Sequence, residues 1–109
     1  MAELEDERAA EALIRTGSDA AGVPVITVSG ELDISNADTL EATVASVAAK
    51  GPEELIFDLS GLRFMDSAGI AVLLGAASKV TVVHLRDPSD AVRRVVELTG
   101  LADVLTIEP

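Results

Sequence analysis

Asp66-Ser67 is the pair in this sequence best suited to chemistry. It sets a hydroxyl beside a carboxylate where the turn-rich stretch Asp58-Leu59-Ser60-Gly61-Leu62-Arg63-Phe64-Met65 passes into a long apolar run. At a junction of loop and helix the first backbone N–H groups have no intrahelical partner, and the helix dipole favours negative charge. A phosphate can be placed or read there. By residue type alone the blander reading comes first: Ser67 as a helix N-cap, worth ~1 kcal/mol, and Asp66 as a cap or loop residue.

Other polar residues carry less. Asp33, at the end of Gly30-Glu31-Leu32-Asp33, is by itself a loop acid, and Asp58 with Ser60 reads as a side-chain-stabilised turn after a strand. Phe64 and Met65 are expected in the core under the loop. His84 is the only histidine and stands among Val and Leu, which predicts a core residue rather than a base or ligand. Arg86, Arg93 and Arg94 read as a solvated face. A nucleophilic enzyme needs a base beside its serine, and no cysteine, Gly-rich phosphate loop or metal-ligand cluster is written here. The expectation is therefore no catalytic residue, no metal and no cofactor.

The elements that must position Asp66-Ser67 follow from periodicity and breakers. Ala12–Thr16 and Val23–Ser29 predict an opening antiparallel hairpin, with Gly17-Ser18-Asp19 as turn chemistry and Pro24 tolerable only at an edge or first position. Ser35-Asn36-Ala37-Asp38 offers a cap to a first helix that buries Leu40, Val44, Val47 and Ala48, turns Glu41 and Lys50 outward, and stops at Gly51-Pro52. Glu54–Asp58 is a third strand, apolar in its middle as a strand buried on both faces should be. A loop then leads to a second helix from Ser67 to about Lys79, followed by a fourth strand, Val80–Leu85. Asp87-Pro88-Ser89-Asp90 predicts a third helix with Pro at its first position, a buried stripe of Val92, Val95 and Val96, and an end at Gly100 with Leu101 packing beyond. Val104–Ile107 is a last short strand. After the hairpin, strands and helices alternate, so the expected fold is α/β: one domain with a mixed, mostly parallel sheet packed by helices and right-handed crossovers.

At 109 residues, half of them hydrophobic, the chain has material for one core. Aromatics are 2% and cysteine is absent, so no disulfide or thiolate metal site can form. A net charge of −11 repels phosphate backbones and anionic lipid, which weighs against direct nucleic-acid binding. Residues 1–11 hold Glu3, Glu5, Asp6, Glu7 and Glu11 against Arg8 and read as a solvated acidic tail, leaving 12–109 as the domain. That start is unlike a signal peptide and no run is apolar enough to span a membrane, so a cytoplasmic protein without membrane insertion is expected.

At about 100° per residue, Ile70, Leu73, Leu74 and Ala77 gather on one side of the second helix and are expected on the sheet. Ala68, Val72, Gly75, Ala76 and Lys79 take the other side, which is small and apolar where a surface helix would be charged. Either another part of the chain covers it or a partner docks there, starting at Ser67. A phosphate on Ser67 would put about −1.5 to −2 charges at the rim of that patch beside Asp66. Repulsion and desolvation would oppose docking, while the helix N-terminus would partly stabilise the phosphoserine.

The order Gly30-Glu31-Leu32-Asp33, then an apolar strand ending in Asp58-Leu59-Ser60, then Phe64-Met65-Asp66-Ser67-Ala68-Gly69-Ile70 resembles the STAS domain of bacterial anti-sigma-factor antagonists. The likeness runs from about Leu13 to the C-terminus. It implies Ser67 as phosphoacceptor and an anti-sigma factor that is a serine/threonine kinase as partner. The bare antagonist captures that kinase and frees the sigma factor, phosphorylation reverses the capture, and a phosphatase acting on phosphoserine resets it. Asp33 matches a loop position beside the phosphoacceptor. The implied partner surface comprises Asp33, Asp66, Ala68, Gly69, Val72, Gly75 and Ala76. Ala68 replaces a frequent second hydroxyl, which leaves Ser67 the one acceptor in the motif. The fold also serves as an accessory subunit of lipid or anion transport systems and as a stress-signalling scaffold, and these stay as alternatives.

Overall fold

The structure is a computed structural model that describes residues 12–108. The expected acidic tail, 1–11, lies outside the described residues.

Strand β1 (Ala12–Ser18) pairs antiparallel with β2 (Pro24–Leu32). β1 runs further than the sequence suggests because the turn is built later, by Asp19: its carboxylate accepts the N–H groups of Ala21 and Val23, each at 2.9 Å, and Gly22 takes φ +86°. β2 starts one residue later than expected and runs on to Leu32. Pro24 opens β2, the position where a missing N–H is least harmful.

Beyond β2 lie β3 (Glu54–Asp58), β5 (Val82–Arg86) and β6 (Thr106–Glu108), each parallel to its neighbour. One strand has no counterpart in the sequence reading. Residues Leu62–Met65, expected as loop, form β4 and pair with the second half of β2, with Gly30 opposite Leu62 and Leu32 opposite Met65. The reason is tertiary: β3 pairs with β2 only over Val25–Thr27, so the edge beyond is left for β4. Four residues are too few for alternation to show. The chain reaches that edge at Gly61, whose carbonyl accepts from Gly30 N–H at 2.9 Å and where a Cβ would stand 2.8 Å from that of Ser29.

Helices α1 (Ala37–Ala48), α2 (Ser67–Lys79) and α3 (Asp90–Leu98) pack on one face of the sheet. Ile26, Val28, Leu55, Phe57, Val83 and Leu85 meet Leu40, Val44, Leu73, Ala76, Val92 and Val96 in a single cluster. Burial of this apolar surface, at roughly 25 cal/mol per Å², is the main stabilising term. The third helix starts two residues later than expected: Ser89 is its cap, accepting Val92 N–H at 3.2 Å, and Pro88 lies outside the helix. Its end is as predicted, with Gly100 left-handed and Leu101 buried, though Leu101–Asp103 form a short 3-10 turn before β6.

Two core expectations fail. His84 lies on the other face of the sheet, because Val83 and Leu85 take the helix side and alternation turns His84 away. There its Nε2 stands 2.9 Å from Glu54 Oε1, a well-formed hydrogen bond. Its Nδ1 stands 2.9 Å from Glu108 Oε2 but without hydrogen-bond direction, so that contact is a proximity of charges only. Phe64 is 49% exposed while Met65 is buried, since the register shift that leaves Arg63 without a partner on β2 puts Met65, not Phe64, on the side of β4 that Leu62 buries.

Candidate functional site

Strand β4 delivers the chain to α2 across a single residue, Asp66. Its N–H donates to the Leu32 carbonyl at 3.1 Å, continuing the β2–β4 pairing. Its backbone is extended and its carboxylate Oδ1 accepts the N–H of Ala68 at 2.8 Å and, more weakly, that of Gly69 at 3.4 Å. Asp66 is therefore the N-cap of α2, and Ser67, the first helical residue, is not. Ser67 is exposed, and among the described residues its hydroxyl has no hydrogen-bond partner. Its backbone is held firmly, because Gly69 is buried against β2 and β4: a Cβ there would lie 2.5 Å from Met65 Cγ and 2.8 Å from Leu32 Cδ2.

The Leu32–Asp66 bond brings the β2–α1 loop beside this cap. Asp33 accepts the Ser35 N–H at 2.9 Å and also the Ser35 hydroxyl. Ser35, which with Asp38 three residues on was expected to cap α1, lies before it; Asn36 takes the N-cap position and makes no side-chain cap hydrogen bond. Its Oδ1 accepts Asp33 N–H and its Nδ2 donates to the Glu31 carbonyl, both at 2.9 Å. The side chain thus closes the loop on itself, while Asp33 O takes the N–H groups of Asn36 and Ala37. At the tip stands Ile34, 82% exposed.

The exposed stripe of α2 is not the one the wheel suggests. Gly69, Val72 and Ala76, expected on the partner surface, are buried, and Ala68 and Gly75 are half-buried. Leu74, expected on the sheet, is 50% exposed, and of its three companions only Leu73 is fully buried. A helix without charge until Lys79 gives its hydrophobic pattern no polar side to orient it. Moreover α2 is packed by α1 as well as by the sheet, which buries a second stripe. The stripe facing solvent is Ser67, Ala71, Leu74 and Ser78.

Asp66 adjoins Ser67, and Asp33 stands on the loop that follows Leu32. Arg63, from β4, is 68% exposed and stands 3.7 Å from Glu31, a loose surface pair of small energetic weight. His84 lies on the opposite face of the sheet from α2 and cannot serve Ser67 as a base. Among the described residues no group of three or more His, Cys, Asp or Glu is placed to hold a metal, and no helix is long and apolar enough to cross a membrane. Asp58 and Ser60 do form the expected turn, with Ser60 N–H and Oγ donating to Asp58 Oδ1 at 3.1 and 2.8 Å. A groove of about 760 Å³ between the β1–β2 turn and α1 is lined by Thr16, Thr43, Ser46 and Lys50 and does not include the Ser67 region.

Sequence reasoning missed Ile34, Phe64 and Leu74. For Ile34 there was a signal: a large branched apolar residue between Asp33 and Ser35, inside turn chemistry, has no core to enter.

The family model for the STAS domain matches residues 18–109. The chain is 33% identical over 72 residues to the anti-sigma-F factor antagonist RsfB of Mycobacterium tuberculosis (strain ATCC 25618 / H37Rv), a match covering 66% of this chain and 59% of that protein. The fold is similar to the crystal structure of an anti-sigma factor antagonist from Mycobacterium paratuberculosis, with TM-score 0.78, 34% identity, and 90% and 84% of the two chains covered. It is also similar to the anti-sigma factor antagonist SpoIIAA in its unphosphorylated form, with TM-score 0.74, 25% identity, and 86% of each chain covered. With its two motifs on the β2–α1 loop and the start of α2, the chain belongs to the STAS-domain family.

Proposed function

We propose that this chain is an anti-sigma-factor antagonist working by partner switching, with Ser67 as its phosphoacceptor. The observation that carries the reading is the hydroxyl of Ser67: exposed, uncommitted, and fixed at the head of a helix that turns Ala71 and Leu74 to solvent behind it. Support also comes from the relatives, which are named as antagonists of anti-sigma factors.

In this reading the bare protein docks on an anti-sigma factor that is a serine/threonine kinase and displaces the sigma factor. Ile34, Ala71 and Leu74 supply apolar contact around Ser67, with Ala68 and Gly75 at the margin. Asp33 and Asp66, both engaged by their own loops, act through the field they set and the backbone they shape. The kinase brings ATP. Ser67 Oγ attacks the γ-phosphorus, the bond to the β,γ-bridging oxygen breaks, ADP leaves, and the hydroxyl proton passes to a base of the kinase. The added charge of about −1.5 to −2 falls among acids at the rim of the docking surface and opposes binding. A phosphatase restores the hydroxyl by hydrolysis, releasing inorganic phosphate. An ATP-dependent partner makes the cytoplasm the place of action. Residues 12–109 form the switching domain and 1–11 an acidic extension of it.

The test is phosphate transfer: the protein, ATP and each candidate anti-sigma kinase of its own genome are mixed, and any phosphate is mapped by mass spectrometry with Ser67→Ala beside it. Phosphate on Ser67 with loss of kinase binding is the expected result. Binding and phosphorylation absent with every kinase, or phosphate placed elsewhere, overturns the reading.

A further inference from the structure

A phosphate on the first residue of a helix ordinarily turns back onto the unpaired amides there, which both donate hydrogen bonds and carry the positive end of the dipole. In α2 two of those amides are taken. Asp66 Oδ1 holds the Ala68 N–H at 2.8 Å and shares that of Gly69 at 3.4 Å. The helix cannot shift to present other amides, because Gly69 is wedged against Leu32 and Met65 and the Asp66 N–H is tied to the Leu32 carbonyl. The cation on the adjoining strand, Arg63, is turned to Glu31.

Resting on Ser67 as the phosphoacceptor, we propose that Asp66 is a positioning residue that sets the sign of the switch: by occupying the amides of Ala68 and Gly69 it denies the Ser67 phosphate a seat in its own chain. The dianion then stays in solvent on the docking surface beside a fixed carboxylate. Had the amides been open, the phosphate would fold inward, lose much of its field, and stabilise the helix. The carboxylate that caps the helix in the bare form is thus the group that keeps the phosphorylated form repulsive.

The experiment needs no kinase. Phosphoserine is installed at position 67 during translation in the wild type, Asp66→Asn and Asp66→Gly, and each is compared with its unmodified counterpart by thermal melting and by ³¹P NMR titration. In the wild type the phosphate should lower the melting temperature by about 2–8 °C, the range expected for one unfavourable charge at a helix end. Its second ionisation should lie above the usual value of about 6. Asp66→Asn keeps the amides occupied without the charge, so the melting temperature should hardly move and the ionisation should return to the usual value. Asp66→Gly opens the amides, so phosphorylation should raise the melting temperature and pull the ionisation below it. The same sign and size in all three proteins overturns the proposal. Should Asp66→Gly not fold, a wild-type ionisation at or below the usual value overturns it alone. Failure here with intact partner switching leaves the antagonist reading standing, and success here without any kinase partner sinks only that reading.

Discussion

A β-carbon on Gly69 would stand 2.5 Å from Cγ of Met65, closer than real β-carbons come, so α2 approaches the β2–β4 pair through the absence of a side chain. Gly69→Ala should cost about 1–3 kcal/mol, the usual penalty of forcing a methyl into a packed site. Gly75, six residues further along the same helix, meets nothing nearer than Lys79 Nζ at 4.0 Å. Gly75→Ala should therefore stabilise by up to about 1 kcal/mol, from helix propensity and unfolded-chain entropy. Urea unfolding of the two variants gives opposite signs if the packing is as described.

The exposed stripe of α2 makes a second prediction that the wheel would have reversed. Leu74→Gln should change stability by less than about 0.5 kcal/mol, as expected of an exposed side chain, yet weaken capture of the kinase. Ile34→Ser should do the same, for Ile34 is 82% exposed. Leu73→Ala, one residue away and 1% exposed, should cost about 2–5 kcal/mol through the cavity it leaves. Stability from urea unfolding and affinity from calorimetry separate the two classes. Loss of stability in Leu74→Gln would show that the stripe is structural.

Asn36 stands at the N-cap position of α1 without capping it, and its side chain ties the loop that presents Ile34. Removing its side chain leaves Asp33 N–H and Glu31 C=O without their partners. Two ordinary hydrogen bonds are lost, so Asn36→Ala should cost about 1–2 kcal/mol. Kinase affinity should fall further than stability explains, because the loop is loosened next to Asp66. Ser89→Ala, a true cap that accepts the Val92 N–H, should cost ~1 kcal/mol and leave kinase affinity unchanged.

How much of this was legible depends on whether local chemistry or tertiary packing decides. The span of α2, the Asp58-Ser60 turn, the Gly100 terminus and the place of Asp66-Ser67 were readable because each is set by residues within a few positions. The β4 strand was not, since it exists only because β3 leaves half of β2 unpaired. The outward stripe of α2 was not, since a nearly uncharged helix has no polar side and two neighbours share it. His84 was misplaced for a simpler reason: strict alternation through Val83 and Leu85 already turned it away from the helices, and the apolar neighbourhood was weighed above that period.

The cap assignment separates structure from signalling at neighbouring positions. Because Asp66 and not Ser67 satisfies the α2 amides, Ser67→Ala should leave stability within about 0.5 kcal/mol of the wild type, whereas Asp66→Ala should cost ~1 kcal/mol. A serine that capped the helix would give the reverse order. Thermal and urea unfolding of both variants decides between them, and the outcome bears on function. If Ser67→Ala is as stable as predicted, any change it causes in the cell comes from the missing hydroxyl. If it is destabilised by a kcal/mol or more, Ser67 has a structural role, and a defect in the cell would no longer identify it as the phosphoacceptor.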